Sequence, residues 1–207
     1  MRKQLSFGLT FGLIGNLLFI LFALITYLYY ITYTPENSGI KFLEILAYLC
    51  EFAAFGILLI SDVLICRAVR MRKWLKIGYS FYIAMEAFMM FCELNSEMVI
   101  SFYQPYSLAL AIIHAIISAA VCFSFLSFDP YKTPFEVVVI ICIGLILGGM
   151  FGNLLGIRIY FSILVNAAAF AALFGAIKYM LKKEIIEIDC HGDSARVAEY
   201  KSSFFDE

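Results

Sequence analysis

Six apolar stretches, near 5–30, 41–66, 75–97, 103–127, 135–156 and 159–181, alternate with short polar breaks along this 207-residue chain. A bilayer's hydrocarbon core takes roughly 20 apolar residues of helix, and each stretch meets that length. Backbone groups in lipid must be hydrogen-bonded internally, so runs of this kind predict helices rather than open strands. The breaks carry turn formers or clustered charge: Thr34-Pro35-Glu36-Asn37-Ser38-Gly39, the basic segment 67–76, the region from Asn95 to Pro105, and Asp129-Pro130 with Pro134. The fifth break rests on Gly156-Ile157-Arg158 alone. Without it the count falls to five and the carboxyl-terminal segment changes sides. The pattern predicts an all-α, polytopic membrane helix bundle of about six transmembrane helices over 1–183, followed by an acidic tail over 184–207.

Composition agrees with the pattern. Hydrophobic residues make up 63% of the chain and charged residues 15%, where soluble domains carry about 25%. The net charge of −1 conceals an uneven distribution. Arg2 and Lys3 open the chain. Arg67, Arg70, Arg72, Lys73 and Lys76 fill the second break. Lys178, Lys182 and Lys183 close the sixth helix. Lysine and arginine concentrate on cytoplasmic loops, so an even number of spans with both termini cytoplasmic satisfies every patch. These bases are explained by topology, and nucleic acid is not an expected partner. Trp74, Tyr131, Tyr160 and the tyrosines at 27, 29, 30 and 33 fall near span ends, as interfacial aromatics do. The run after Arg2-Lys3 is too long for a signal-peptide core and lacks a cleavage pattern, so it reads as a retained first span.

The six cysteines are scattered singly, without a CxxC pair, so neither a zinc knuckle nor a redox motif is expected. Glycine is more informative. Gly144, Gly148, Gly152 and Gly156 recur every four residues, and Gly8 and Gly12 start a shorter ridge. Small-xxx-small ridges let helices approach closely, which predicts tight seams on the first and fifth helices. A shared GxxGNLL pattern at 12–18 and 149–155 raises a parallel internal repeat. It also places Asn16 and Asn153 to hydrogen-bond across such a seam.

Candidate chemistry comes from ionisable residues at membrane depth, which are costly there and mark function by default. Glu44, Glu51 and Asp62 share a face of the second helix. Glu86, Glu93 and Glu97 share one of the third, with Tyr79 and Tyr82 on the same side. Ser107, His114 and Ser118 line the fourth, and Arg158, Ser162 and Asn166 step along the sixth. Asp62, near the inner end, is placed to pair with Arg67 or Arg70. Depth selects Glu51, Glu86, Glu93, His114, Asn153, Arg158 and Asn166 as a ligand-binding group around a polar cavity open to the outer side. Three deep carboxylates against one arginine and one histidine would hold a proton or admit a cation. No cofactor follows, and the donor set names no metal.

No HExxH, GxSxG or Walker A sequence occurs, and no catalytic residue is assigned. The reading is a small transporter, or the substrate-binding membrane subunit of one, that handles a cation or a proton-coupled solute. The expected partners are the lipid bilayer, that solute or proton, and a second copy or partner subunit. The short loops suit a bacterial plasma membrane. The alternatives are an intramembrane lipid-modifying enzyme and a non-catalytic assembly or sensory subunit.

Overall fold

A computed structural model of the chain describes residues 2–32, 40–69, 73–95, 104–125, 133–154 and 159–183. They form α1 (Arg2–Thr32), α2 (Ile40–Ala68), α3 (Lys73–Leu94), α4 (Gln104–Ser124), α5 (Thr133–Leu154) and α6 (Ile159–Lys182). The tail from 184 lies outside the described residues. Four helices, over Lys3–Thr32, Lys41–Ala68, Phe135–Gly152 and Phe161–Lys182, are long and apolar enough to cross a membrane, consistent with a helical membrane bundle. The apolar stretch of α4, Leu108–Phe123, is shorter, and α3 is interrupted by lysine and glutamate. Local signals agree with the boundaries. Pro105 and Pro134 sit in the first turns of α4 and α5, where a missing N–H is harmless. Arg67 and Lys182 lie in last turns, where they complement the helix dipole.

Contact registers give the topology. Along α1, Gly8, Gly12 and Gly15 meet Ile65, Ser61 and Leu58 in turn, so α1 and α2 are antiparallel. Lys178 reaches Thr10 while Phe174 lies on Gly12, so α6 is antiparallel to α1 as well. Cys142 bonds the Ala169 carbonyl and Gly149 lies on Val165, so α5 and α6 are distinct helices that fold back on each other. Their separation settles the weakest of the sequence-derived breaks. Tyr79 meets Phe125, and Glu86 meets His114, so α3 opposes α4. The helices therefore alternate in direction. Lys3, Arg67, Lys76, Lys178, Lys182 and Lys183 gather at one end of the bundle.

The glycine ridges divide in role. A methyl carbon added at Gly8, Gly12 or Gly15 would come within 2.8, 2.9 and 2.8 Å of α2 side chains. Ser61 uses this closeness to donate a 2.7 Å hydrogen bond from its hydroxyl to the Gly8 carbonyl. Tyr79 hydrogen-bonds Ser61 in turn, so one polar chain joins α3, α2 and α1. The α5 ridge differs in part from expectation, because Gly144 and Gly148 face open space, whereas Gly152 is buried and a methyl carbon added at Gly149, beside the ridge, would lie 3.4 Å from Val165. Asn16 also departs from the expected cross-helix bond. Its amide donates to the Gly12 carbonyl one turn back, at 2.8 Å, because the close backbone approach of α1 and α2 leaves its own helix as the nearest acceptor. Asp62 accepts from the Cys66 thiol at 3.1 Å, and Arg70 lies outside the described residues.

Gly12 is wedged between Ser61 and both edges of the Phe174 ring. Gly12→Ala is expected to cost about 1–3 kcal/mol through overpacking, whereas Gly148→Ala leaves stability unchanged. Thermal unfolding of the two variants in detergent reads the difference. Equal midpoints would contradict the tight α1–α2–α6 contact.

Candidate functional site

The site lies where α3, α4 and α6 meet. His114 is ten residues from either end of α4, so it stands about 15 Å from each at 1.5 Å per residue. His114 therefore stands at the middle of the helix. An aromatic cluster fixes the three helices around it. Tyr79 meets Phe125 edge-on at 5.9 Å, Phe125 meets Phe174 at 5.9 Å, and Tyr82 lies 5.1 Å from Phe170. Tyr79, Phe125, Phe170 and Phe174 are all fully buried. They hold α6 against α3 and set the separation at which polar groups one turn further along can touch.

Three of those groups do touch. His114 Nε2 and Glu86 Oε1 are 2.6 Å apart, a short bond of the kind made when at least one partner is charged. Asn166 Nδ2 lies 3.3 Å from His114 Nδ1. In this arrangement Nε2–H donates to the carboxylate and Nδ1 accepts from the amide, which is the neutral imidazole tautomer. The Tyr82 hydroxyl, one turn before Glu86, hydrogen-bonds the same carboxylate. The Tyr82 ring lies 5.7 Å from the imidazole. The side chains of His114 and Glu86 keep 12% and 18% of their surface exposed, so the pair is shielded without being sealed.

Two buried polar atoms have no hydrogen-bond partner, Asn166 Oδ1 at the pair and Ser118 Oγ on α4. Ser118 lies one turn from His114 on α4 and is fully buried, while Asn166 is 6% exposed. Unsatisfied buried polar groups are uncommon, and each asks for an explanation.

Of the residues singled out from sequence, Glu86, His114 and Asn166 are in contact. Glu51 is buried on α2, next in sequence to Cys50 of the Phe22–Ile25–Ala47–Cys50 cluster. Among the described residues no three of His, Cys, Asp and Glu are placed to hold a metal ion, so Glu51 does not complete such a group with Glu86 and His114. The side chains of Glu93 and Asn153, and Arg158 altogether, lie outside the described residues. Tyr82 and Phe170 belong to the site but were not among the sequence-derived binding residues. The signal for Tyr82 was its position four residues before Glu86 on the same face. Phe170 holds the matching position four residues after Asn166.

Chemically the arrangement is a carboxylate and an imidazole sharing protons, steadied by a phenol and an amide. With the imidazole protonated, the pair is neutral overall. Compared with known protein families, with curated proteins and with solved structures, the chain finds no match.

Proposed function

We propose that this chain is a small integral membrane transporter, or the substrate-binding membrane subunit of one, that moves a solute coupled to a proton. The observation that carries the reading is the 2.6 Å Glu86–His114 contact at mid-bundle. An intramembrane ionisable pair that retains some exposure marks a transport pathway or proton relay by default. Histidine is the side chain whose ordinary range spans neutral pH, which suits it to take up and release a proton. Once protonated, His114 supplies the cation that the carboxylate needs, so the pair favours a proton-coupled solute over a bare metal or organic cation.

The same reading gives α3 and α4 full spans. At 22 and 21 residues they reach about 33 and 31 Å, enough to cross the hydrocarbon layer. Six alternating spans put the basic end, with Lys3, Arg67, Lys76, Lys182 and Lys183, on the cytoplasmic side together with both termini. Tyr27, Tyr30 and Tyr106 are exposed near the opposite end, and Tyr179 near the basic one, as interfacial belts are. A bacterial plasma membrane is the proposed location. A second copy or an energising subunit is the proposed partner, given the chain's size.

The test begins with a thermal-shift panel of cations, amines and vitamins, in which a bound solute stabilises the fold by mass action. The stabilising solute is then added outside liposomes that hold the protein and an enclosed pH-sensitive dye, under an inward proton gradient. Wild-type protein is expected to acidify the lumen. Glu86→Gln and His114→Gln are expected to lose most of that flux while melting as cooperatively as the parent. Full flux in both variants would sink the reading.

A further inference from the structure

The unpartnered Asn166 oxygen points to what the site binds, on the proposed reading that Glu86 and His114 carry a proton. A carboxamide has nearly the same shape when its oxygen and nitrogen are exchanged, so its orientation follows the hydrogen bonds around it. With Nδ2 toward His114, the Nδ1 lone pair accepts, the imidazole is neutral, and Oδ1 is left buried and unpaired. With the amide turned over, Oδ1 faces Nδ1, and that contact is satisfied only when Nδ1 carries a proton. The first orientation matches the Nε2–H tautomer, and the second matches a ring that carries a proton on Nδ1.

We infer that Asn166 turns over when His114 gains its second proton, and that the edge it then offers binds a neutral solute through a carbonyl oxygen. A proton from water adds to the Nδ1 lone pair, and the new N–H donates to Asn166 Oδ1. Nδ2 moves to where Oδ1 stood and presents N–H donors there. When the proton returns from Nδ1 to water, the amide reverses. Oδ1 then faces the solute's oxygen, two acceptors meet, and the solute is released.

The groups around His114 keep this dependence simple. From α3 it meets Glu86 and Tyr82, and from α6 Asn166. On the α5 side the titratable group is Cys142, whose thiol donates to Ala169. Between Gln104 and Ser124, α4 itself adds only Tyr106 and Cys122. The proton-loaded pair is neutral overall, so a neutral solute fits without further counter-charge, whereas a buried anion would need one.

The test uses the full chain in nanodiscs with 15N-labelled histidine and asparagine. The chain has two histidines, and His191→Gln leaves His114 as the single imidazole. Asn166→Gln identifies the Asn166 resonance by removing it while keeping an amide in place. The probes are N,N-dimethylformamide, which only accepts, and guanidinium, which only donates. Across a titration that includes about pH 5 to about pH 8, the range of histidine switches, the Asn166 amide is expected to change with the same midpoint as His114 Nδ1. Dimethylformamide is expected to bind about tenfold more tightly below that midpoint than above it, and guanidinium to show no such gain. A fixed Asn166 amide beside a titrating His114, or equal dimethylformamide binding on both sides, overturns this inference and leaves the proton-coupling reading in place. A His114 locked in one protonation state overturns both.

Discussion

Glu86→Leu and His114→Leu are each expected to destabilise the protein by about 3 kcal/mol, and the double substitution by much less. Either single change leaves a buried polar partner behind. Without the carboxylate, His114 Nε2–H keeps no acceptor among its present contacts. Without the imidazole, the Glu86 carboxylate loses its 2.6 Å donor and keeps only Tyr82. The 12% and 18% exposure of the two side chains lets water penetration recover part of the loss, which sets the figure at the lower end of the buried-pair range. Replacing both removes the demand altogether, because two leucines suit a wall already lined by Tyr82 and Phe170. Unfolding in mixed detergent micelles measures all three proteins against the parent. Additive single-site losses would mean that the two side chains act independently, and the site would then be a coincidence of position. The double variant is expected to be folded and inactive, which separates the pair's role in chemistry from its role in packing.

Phe170→Ala is expected to cost about 3–5 kcal/mol, the second large effect. Phe170 is fully buried and touches Tyr82 at 5.1 Å and Phe174 at 6.4 Å. Removing the ring opens a cavity between α3 and α6 that neither rigid helix can close. Tyr82 then loses the wall that directs its hydroxyl to Glu86, so the damage reaches the polar site as well. Phe170→Leu refills most of the space and is expected to cost less than half as much. Thermal unfolding together with near-ultraviolet circular dichroism distinguishes a local void from global loosening. A Phe170→Ala protein as stable as the parent would show that the aromatic cluster does not hold the helices together.

Helix positions were legible because periodicity barely matters in lipid: length and the absence of charge are enough. The boundaries fell within about a turn of those observed, since Pro105, Pro134 and the basic clusters mark them locally. The contact of Glu86, His114 and Asn166 was legible only as shared depth and shared faces. Which faces turn toward each other depends on helix rotation, and the aromatic cluster sets that rotation. The glycine ridges show the same limit. A GxxxG pattern states that a face can pack closely, and Gly8, Gly12 and Gly15 do so while Gly144 and Gly148 do not. Nothing in either heptad distinguishes the two cases. Glu51 was grouped with the other carboxylates because depth alone does not reveal azimuth. Asn16 was expected to reach across a seam whose closeness instead left it bonded to its own helix.

The Ser61–Gly8 clasp has a consequence for biogenesis. It needs nothing beyond the first two helices, so a nascent chain can seal that hairpin as soon as both have left the insertion machinery. The Glu86–His114–Asn166 cluster requires α3, α4 and α6. Translation must therefore reach the last span before any of the chemistry exists.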